Sequence, residues 1–407
     1  MKNSIRSIFL ISTLAYSVSA IADEIVKIEQ NEISTIGQMF EEGKVSGNIR
    51  SMYAGYNIKK ENENDIYATA LGGYLKYETA ELNGFSAATA FATSHDLGFA
   101  TGDKGVKQND ELSSSAGKYT VLSEAYLNYK YDDFNFRAGR QVIDTPLANS
   151  DDIRMIQNTF EAYIASYKFS NFNFMAGKLQ KWQGYDAGLN DGWVKTGKDA
   201  TYFSGAAYAD DIIEASGWYY NITKLTNAAY FDTTLKYEIN SDVSGTGAVQ
   251  YLNESEIGLS GTKADIYGAL VKLSAYGVTL SAAYNKSQKK AGKASFRGFG
   301  SGALFTNMDT MILDEIANDR NAKAMVGGIS YEIEKLSLTY AYGDFDGGSD
   351  ATGKKAHVVE QNIGLKYSVI EDKVLICALY AVQEDKENST KTDNDWNRFQ
   401  VTVTYSF

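Results

Sequence analysis

Five charged residues in one stretch of the chain are the first candidates for chemistry. Arg140, Asp144, Asp151, Asp152 and Arg154 bring acidic and basic groups close together along the sequence. Charges of opposite sign facing each other across a narrow passage create a field that sorts ions and polar solutes. These five residues are therefore candidates for lining a charged passage, which depends on the fold that positions them.

A structural role is the alternative for the same stretch. Asp151, Asp152 and Arg154 would then hold a loop against a wall, because confined charged groups need partners. The segment Asp144-Thr145-Pro146 is typical of a turn, since proline fixes φ and aspartate accepts hydrogen bonds from nearby backbone. Both roles are compatible with one loop.

Few residues are suited to catalysis or metal binding. The 407 residues contain one cysteine, Cys377, and two histidines, His95 and His357, and none lies in a catalytic or metal-ligand motif. We predict no enzyme activity, no cofactor and no metal site. The formal net charge of −12 argues against a nucleic-acid partner. A mean hydropathy of −0.31 excludes a bundle of apolar membrane helices.

The first 43 residues differ from the rest of the chain. Residues 1–22 have a basic start, a short apolar run and small residues near Ala22, which predicts a secretory signal peptide. We predict that residues 23–43 form a periplasmic N-terminal segment. Their apolar residues recur at roughly helical spacing, which predicts one short helix before Gly43.

From Lys44 onward, apolar and polar residues alternate with a period of two. In the last segment Phe399, Val401, Val403, Tyr405 and Phe407 share one face. We predict eighteen strands, at 44–56, 66–78, 84–95, 119–131, 133–141, 160–169, 171–181, 200–209, 212–221, 227–238, 243–252, 264–276, 278–287, 323–333, 335–343, 357–368, 372–383 and 396–407.

The connections between these strands indicate the architecture. Short links tend to alternate with long polar ones, the latter at 96–118, 142–159, 182–199, 288–322, 344–356 and 384–395. Hairpins at one end and long loops at the other are typical of an antiparallel transmembrane β-barrel. We predict such a barrel over residues 44–407, in a bacterial outer membrane. Phe407, aromatic and terminal, resembles the signal that outer-membrane barrels present to their assembly machinery.

The stretch around the five charged residues is also specific in sequence. Gly139-Arg140-Gln141, residues 144–152, Arg154-Met155-Ile156 and Asn158-Thr159-Phe160-Glu161 closely resemble the OprD-type family of outer-membrane porins. Residues 302–308 look like a second family segment. Ile153, Gln157 and Ala162 depart from the family pattern. The resemblance implies an eighteen-stranded monomeric barrel with an inward-folded third loop. It thereby predicts that the five charged residues Arg140, Asp144, Asp151, Asp152 and Arg154 form a pore constriction. It also implies uptake of small, often carboxylate-bearing nutrients along basic residues.

Strand alternation places a set of basic residues opposite the apolar face, toward the lumen. They are Arg50, Lys76, Lys130, Arg137, Lys236, Lys272, Lys366 and Arg398. Acidic residues share that face, among them Glu78, Glu124, Asp232 and Glu360. Guanidinium groups in such a series resemble the basic ladder of the family and can donate hydrogen bonds to a passing carboxylate.

The main hypothesis is an outer-membrane porin for small hydrophilic solutes, with some preference for anionic or carboxylate-bearing ones. The alternative is a surface adhesin or structural barrel with a plugged lumen. An envelope enzyme on a barrel would need a site beside His95 or His357. Other expected partners are outer-membrane lipid, lipopolysaccharide and the barrel assembly machinery, and the sequence leaves open a monomer or a trimer.

Overall fold

The computed structural model describes residues 33–189, 192–371 and 373–407. The predicted signal peptide lies outside the described residues, and so does the start of the predicted periplasmic segment. The helices are α1 Ile36–Glu41 and α2 Leu313–Ile316. The strands are β1 Lys44–Ile58, β2 Ile66–Glu78, β3 Phe85–Asp96, β4 Lys118–Tyr131, β5 Phe134–Gln141, β6 Thr159–Phe169, β7 Phe172–Gln183, β8 Val194–Lys195, β9 Thr201–Ala209, β10 Ile213–Ile222, β11 Thr226–Asn240, β12 Val243–Glu256, β13 Ala264–Ala275, β14 Val278–Ser287, β15 Lys323–Ile333, β16 Leu336–Ser349, β17 Lys355–Ile370, β18 Val374–Asp385 and β19 Trp396–Ser406.

Eighteen of these strands close into one antiparallel barrel. Each long strand pairs with the next along the chain, and β1 pairs with both β2 and β19, so the sheet has no free edge there. The two-residue strand β8 pairs only with β7 and lies beside the β7–β9 junction. Closure satisfies the ladder hydrogen bonds of every long strand, as a bilayer interior requires. The predicted antiparallel barrel of about eighteen strands is confirmed.

All eighteen predicted strands correspond to observed ones, but one predicted loop is wrong. Residues 344–356 were expected to form a long link because they are rich in Gly, Asp and Ser. Instead β16 continues to Ser349 and β17 begins at Lys355, with Asp344 opposite Val359 and Phe345 opposite Val358. Cross-strand pairing outweighs the weak strand propensity of these residues. The connection shrinks to residues 350–354.

The two ends of the barrel differ in their connections. At the turn end the strands are joined by tight hairpins, such as the one at Tyr276 and Gly277, where φ is 51° and 81°. Two positive φ values in a two-residue loop give a type I′ turn, whose twist matches the strands. Helix α1 lies at this end, capped by Thr35 and Gln38 in a reciprocal capping box. The predicted short helix before Gly43 is confirmed.

The alternation of side chains produces two different surfaces. Outward positions on β19, such as Phe399 and Tyr405, are 46% and 43% exposed, whereas Arg398 and Gln400, on either side of Phe399, face inward and are buried. A large apolar cluster lies inside the barrel, against β6 to β17, and includes Phe160, Trp218 and Leu304. No helix in the described part of the chain is long and apolar enough to cross a membrane.

Candidate constriction site

Three loops from the loop end fold into the barrel. They are residues 97–117, 142–158 and 288–322, and each buries apolar side chains against the wall. Leu112 and Met155 pack together with Met52 of β1 and Ala68 of β2. On the opposite side, residues of the second and third loops join the large apolar cluster. Apolar burial on two sides fixes the loops in place and leaves their charged residues between them.

The turn in loop 142–158 sets the position of its charged end. Pro146 occupies the second position of a turn in which the backbone N–H of Ala148 donates to the carbonyl of Thr145 at 3.2 Å. Asp144 accepts hydrogen bonds from the backbone N–H and the hydroxyl of Ser150, at 2.9 and 2.7 Å. These contacts make Asp144 a turn-stabilising residue, and its described hydrogen bonds remain within the loop.

Arg50 of β1 holds the tip of this loop through a charge-assisted fork. Its Nη1 lies 2.7 Å from one carboxylate oxygen of Asp152, and its Nη2 lies 3.2 Å from the other. Nη1 also donates to the carbonyl of Arg154, and Nε donates to the hydroxyl of Thr404 at 3.2 Å. The side chain of Asp152 is 43% exposed, whereas that of Arg50 is only 9% exposed. One face of this ion pair is therefore open to solvent.

Arg398 of β19 connects the other two loops. Its Nη2 lies 3.1 Å from Glu111 in loop 97–117, and its Nη1 forms an ion pair with Asp309 in loop 288–322. The hydroxyl of Tyr56 donates to Glu111 at 3.4 Å. The Arg398 side chain is 1% exposed, so this network is desolvated. Removal of one member would leave a buried charge without its partner.

Arg154 lies between these two groups of charges. Its guanidinium is 3.9 Å from Glu111 and 3.5 Å from Asp151, and it stacks over the ring of Tyr185 at 4.0 Å. Burial raises the pKa of Glu111, but the charges of Arg398 and Arg154 outweigh it and hold that pKa below its ordinary value. Burial, followed by the charge of Asp186, raises the pKa of Asp151 to about 6. Glu111 is therefore an anion at neutral pH, whereas Asp151 titrates just below it.

We call this group of wall and loop charges the constriction. It consists of Arg50, Glu111, Asp152, Arg154, Asp309 and Arg398, with Asp151 at its margin. Bases from the wall and the loop alternate with acids from three loops. The geometry supports the structural interpretation directly, because these ion pairs hold three loops against the wall at the neighbouring strands β1 and β19. Asp152, with a 43% exposed side chain, is the member most open to solvent in the lumen.

Two residues predicted for the constriction lie elsewhere. Asp144 stays at the loop's turn, as described above. Arg140 points to the outer side of β5, where its Nε lies 3.7 Å from Glu161 and its guanidinium stacks on Trp193 at 4.5 Å. The alternation of β5 sets this orientation, since Arg140 shares its face with Phe134 and Phe136.

The eight predicted lumen bases all occupy inward positions of their strands. Arg50 and Arg398 join the constriction. Toward the turn end, Lys76 lies 3.2 Å from Glu124 and 3.6 Å from Glu78, and Arg137 stacks over Tyr126 at 4.3 Å. The others lie at inward ladder positions, Lys130 opposite Asn135, Lys236 paired with Glu214, Lys272 opposite Ser281 and Lys366 opposite Cys377. The lumen wall therefore carries charges of both signs.

Sequence reasoning missed Glu111 and Asp309, which complete the constriction. Both lie in long polar loops, and loop sequence alone does not show which loops fold inward. A signal was present for Asp309, since it directly follows the segment 302–308 that resembles a family motif. A buried Glu111 had no comparable signal, because nothing in residues 96–118 distinguishes an inward loop from an exposed one.

A closed barrel with a charged constriction made by inward loops defines this protein as an outer-membrane channel of the porin class. The family model described as outer membrane porin, OprD family, matches residues 38–407. The chain belongs to that family, and its location is the bacterial outer membrane.

Solved structures share the fold at low sequence identity. OccAB2 of Acinetobacter baumannii has a TM-score of 0.76 at 16% identity, with 91% of this chain and 99% of that chain covered. A BenF-like porin of Pseudomonas fluorescens Pf-5 has a TM-score of 0.77 at 13% identity, with coverages of 91% and 99%. OpdK of Pseudomonas aeruginosa, solved with vanillate, has a TM-score of 0.73 at 14% identity, with the same coverages. No curated protein matches the chain in sequence.

Proposed function

We propose that this porin passes small hydrophilic solutes with a preference for those that carry a carboxylate. The observation that carries the proposal is the fork between Arg50 and Asp152. A carboxylate already binds Arg50 in a two-point geometry, and that carboxylate belongs to a half-exposed side chain. A solute carboxylate can take its place, because guanidinium groups match any carboxylate in the same planar way.

The neighbouring charges favour passage over retention. Arg154 lies next to this fork, and Lys76 and Arg137 continue along β2 and β5 toward the turn end. Each of these bases also has an internal acid or aromatic partner. Competition with those partners keeps each contact with a solute weak, which transport through several successive sites requires.

Solute-dependent swelling of proteoliposomes tests the proposal. The purified protein would be reconstituted in liposomes and exposed to uncharged solutes and to monocarboxylates of similar size. We expect faster swelling with the monocarboxylate, and we expect Arg50→Gln to reduce that advantage while the rate for the uncharged solute stays similar. Equal rates for both solutes in the wild type would refute the preference but keep the channel. No swelling with any solute would favour a plugged barrel, such as an adhesin.

A further inference from the structure

A cluster of basic side chains lies on the outside of the barrel, away from the constriction. Arg140 of β5, Lys178 and Lys181 of β7 and Lys195 of β8 form this cluster, which we call the outer basic patch. Arg140 shares the outward face of Phe134 and Phe136, and Lys178 shares that of Phe172 and Phe174. All four of these phenylalanines are between 37% and 43% exposed, as lipid-facing side chains are.

Cross-strand pairing continues the patch across β6 to β8. In the ladder, Lys181 lies opposite Glu161 on one side and Lys195 on the other. Glu161 is also the acid nearest to Arg140, at 3.7 Å, and it forms the one ion pair that the described residues supply to these four bases. Two lysines directly opposite each other repel, so the cluster is more stable when an external anion lies between them.

Aromatic rings hold part of the patch in position. The Arg140 guanidinium lies 4.5 Å from the ring of Trp193, and Nζ of Lys178 lies 5.7 Å from the ring of Tyr202. Such contacts orient a cation without neutralising it. The patch therefore combines a local excess of positive charge with a partly fixed geometry.

The height of the patch on the barrel matches a headgroup layer. Lys178 and Lys181 are six and nine residues along β7 from Phe172, about 20 and 30 Å along the strand. A strand tilt of about 40° reduces these lengths to heights of about 16 and 23 Å, and the outward band of a membrane barrel is about 25 Å tall. The outward positions between Phe172 and Lys178 are apolar, and on β13 they stay apolar from Ala275 to Tyr267. Lys181 thus lies near the end of the apolar band, and the long side chain of Lys178 can extend from just below it toward polar headgroups.

The basic residues of loop 288–322 lack this excess charge. Four bases at the start of loop 288–322 each lie beside an acid, in the pairs Lys289–Asp319, Lys290–Asp265, Lys293–Glu256 and Arg297–Glu315. Internal pairing leaves that loop little attraction for an external anion. Within the described ranges, the outer basic patch has four bases and one adjacent acid, Glu161.

We propose that the outer basic patch binds the phosphate groups of lipopolysaccharide in the outer leaflet. The glycolipid's acyl chains would pack on the apolar outer face of β5 to β7, below the bases, while its phosphates lie among the four cations. The proposal rests on the outer-membrane location, with the loop end outward, and is independent of what the pore transports.

Native mass spectrometry with diphosphoryl lipid A as the probe tests the proposal. The full-length barrel in detergent would be titrated with this lipid and with the same lipid lacking phosphates. We expect tighter binding of the phosphorylated form. The variant K178Q/K181Q should weaken it about tenfold to thirtyfold, since each base near an anionic lipid surface contributes up to about fivefold in affinity, the equivalent of about 1 kcal/mol.

A matched control comes from the other side of the barrel. Lys286 of β14 and Lys323 of β15 are outward bases directly opposite each other in the ladder, but Lys323 has its own partner, Asp346, at 3.2 Å, and in the described part of the chain no further base joins the pair. The variant K286Q/K323Q should therefore weaken lipid A binding much less than K178Q/K181Q does. Unchanged single-channel conductance of both variants would show that the barrels are folded.

Three results would overturn the proposal. The first is equal affinity of the wild type for both lipid forms. The second is equal loss of affinity in the two double variants, which indicates general surface charge. The third is a second copy of the chain on this face, seen as a dimer or trimer that K178Q/K181Q dissociates. If K178Q/K181Q failed to fold, the single variant Lys195→Gln would replace it, because Lys195 is exposed. This variant should weaken lipid A binding several-fold, and unchanged binding would refute the proposal.

Discussion

Replacement of Arg50 by glutamine should shift the ion selectivity of the channel toward cations. The substitution removes one positive charge from the constriction and leaves Asp152, whose side chain is 43% exposed, without its fork. The site then carries one more unit of uncompensated negative charge. An anion passing the constriction is repelled and a cation is attracted.

The magnitude follows from Coulomb's law. A unit charge about 4 Å from a passing ion is worth about 1 kcal/mol in bulk water. The anion loses this energy and the cation gains it, so a bulk-water dielectric gives a change of about thirtyfold in the permeability ratio, from about 2 kcal/mol. Screening by about 0.1 M salt weakens the interaction. We therefore expect a change of about fivefold to tenfold in the ratio of chloride to potassium permeability.

Reversal potentials in planar bilayers across a KCl gradient measure this ratio. Arg50→Lys serves as the matched control, since it keeps the charge but not the fork, and it should shift the ratio much less than Arg50→Gln. The prediction fails if the reversal potential of Arg50→Gln equals that of the wild type or indicates a higher chloride permeability. Either result would show that ions do not pass beside Arg50.

Three further predictions concern other parts of the molecule. The pKa of Asp151 is raised to about 6, so chloride permeability should rise as the pH falls through 6, where this carboxylate loses its charge. A pH series of reversal potentials measures this rise, and Asp151→Asn should remove it. Arg398→Met should destabilise the folded barrel by about 3 kcal/mol in urea unfolding, because it leaves Asp309 without its ion-pair partner and Glu111 with only the more distant Arg154. The further substitutions Glu111→Gln and Asp309→Asn should restore most of that loss, and an unaltered midpoint for the single variant would contradict the network. Phe407→Ala should lower the amount of barrel in the outer membrane, measured by fractionation, while the purified variant keeps the wild-type unfolding midpoint. Equal amounts of wild type and variant in the membrane would argue against an assembly signal at Phe407.

Most of the fold was predictable because a barrel strand repeats a simple pattern. Outward apolar and inward polar residues alternate with a period of two, and closure imposes the same rule on every strand. The boundaries were harder to predict. Residues 344–349 have a composition typical of a loop. Their backbone nevertheless continues the ladder with β17, because that strand is available to pair with them.

The constriction was predictable only in part. Arg50 and Arg398 follow from alternation, and Asp151, Asp152 and Arg154 follow from the charged loop. Their partners Glu111 and Asp309 come from loops that are distant in sequence, and a loop's path into the lumen depends on tertiary packing, such as that of Leu112 against β1 and β2. Arg140 shows that closeness in sequence does not place a residue at the constriction. Its position in the alternation of β5 puts its side chain on the outer surface of the barrel.

Single-channel recording of the purified wild-type protein, reconstituted in planar bilayers with a KCl gradient, shows whether the barrel is an open channel with a charged lumen. We expect discrete conductance steps and a reversal potential that favours chloride at pH 5, below the pKa of Asp151, more than at pH 7.5. A bilayer that stays silent with folded protein inserted would contradict the assignment as an open channel, and a stronger preference for potassium at pH 5 than at pH 7.5 would contradict the assigned charges of the constriction.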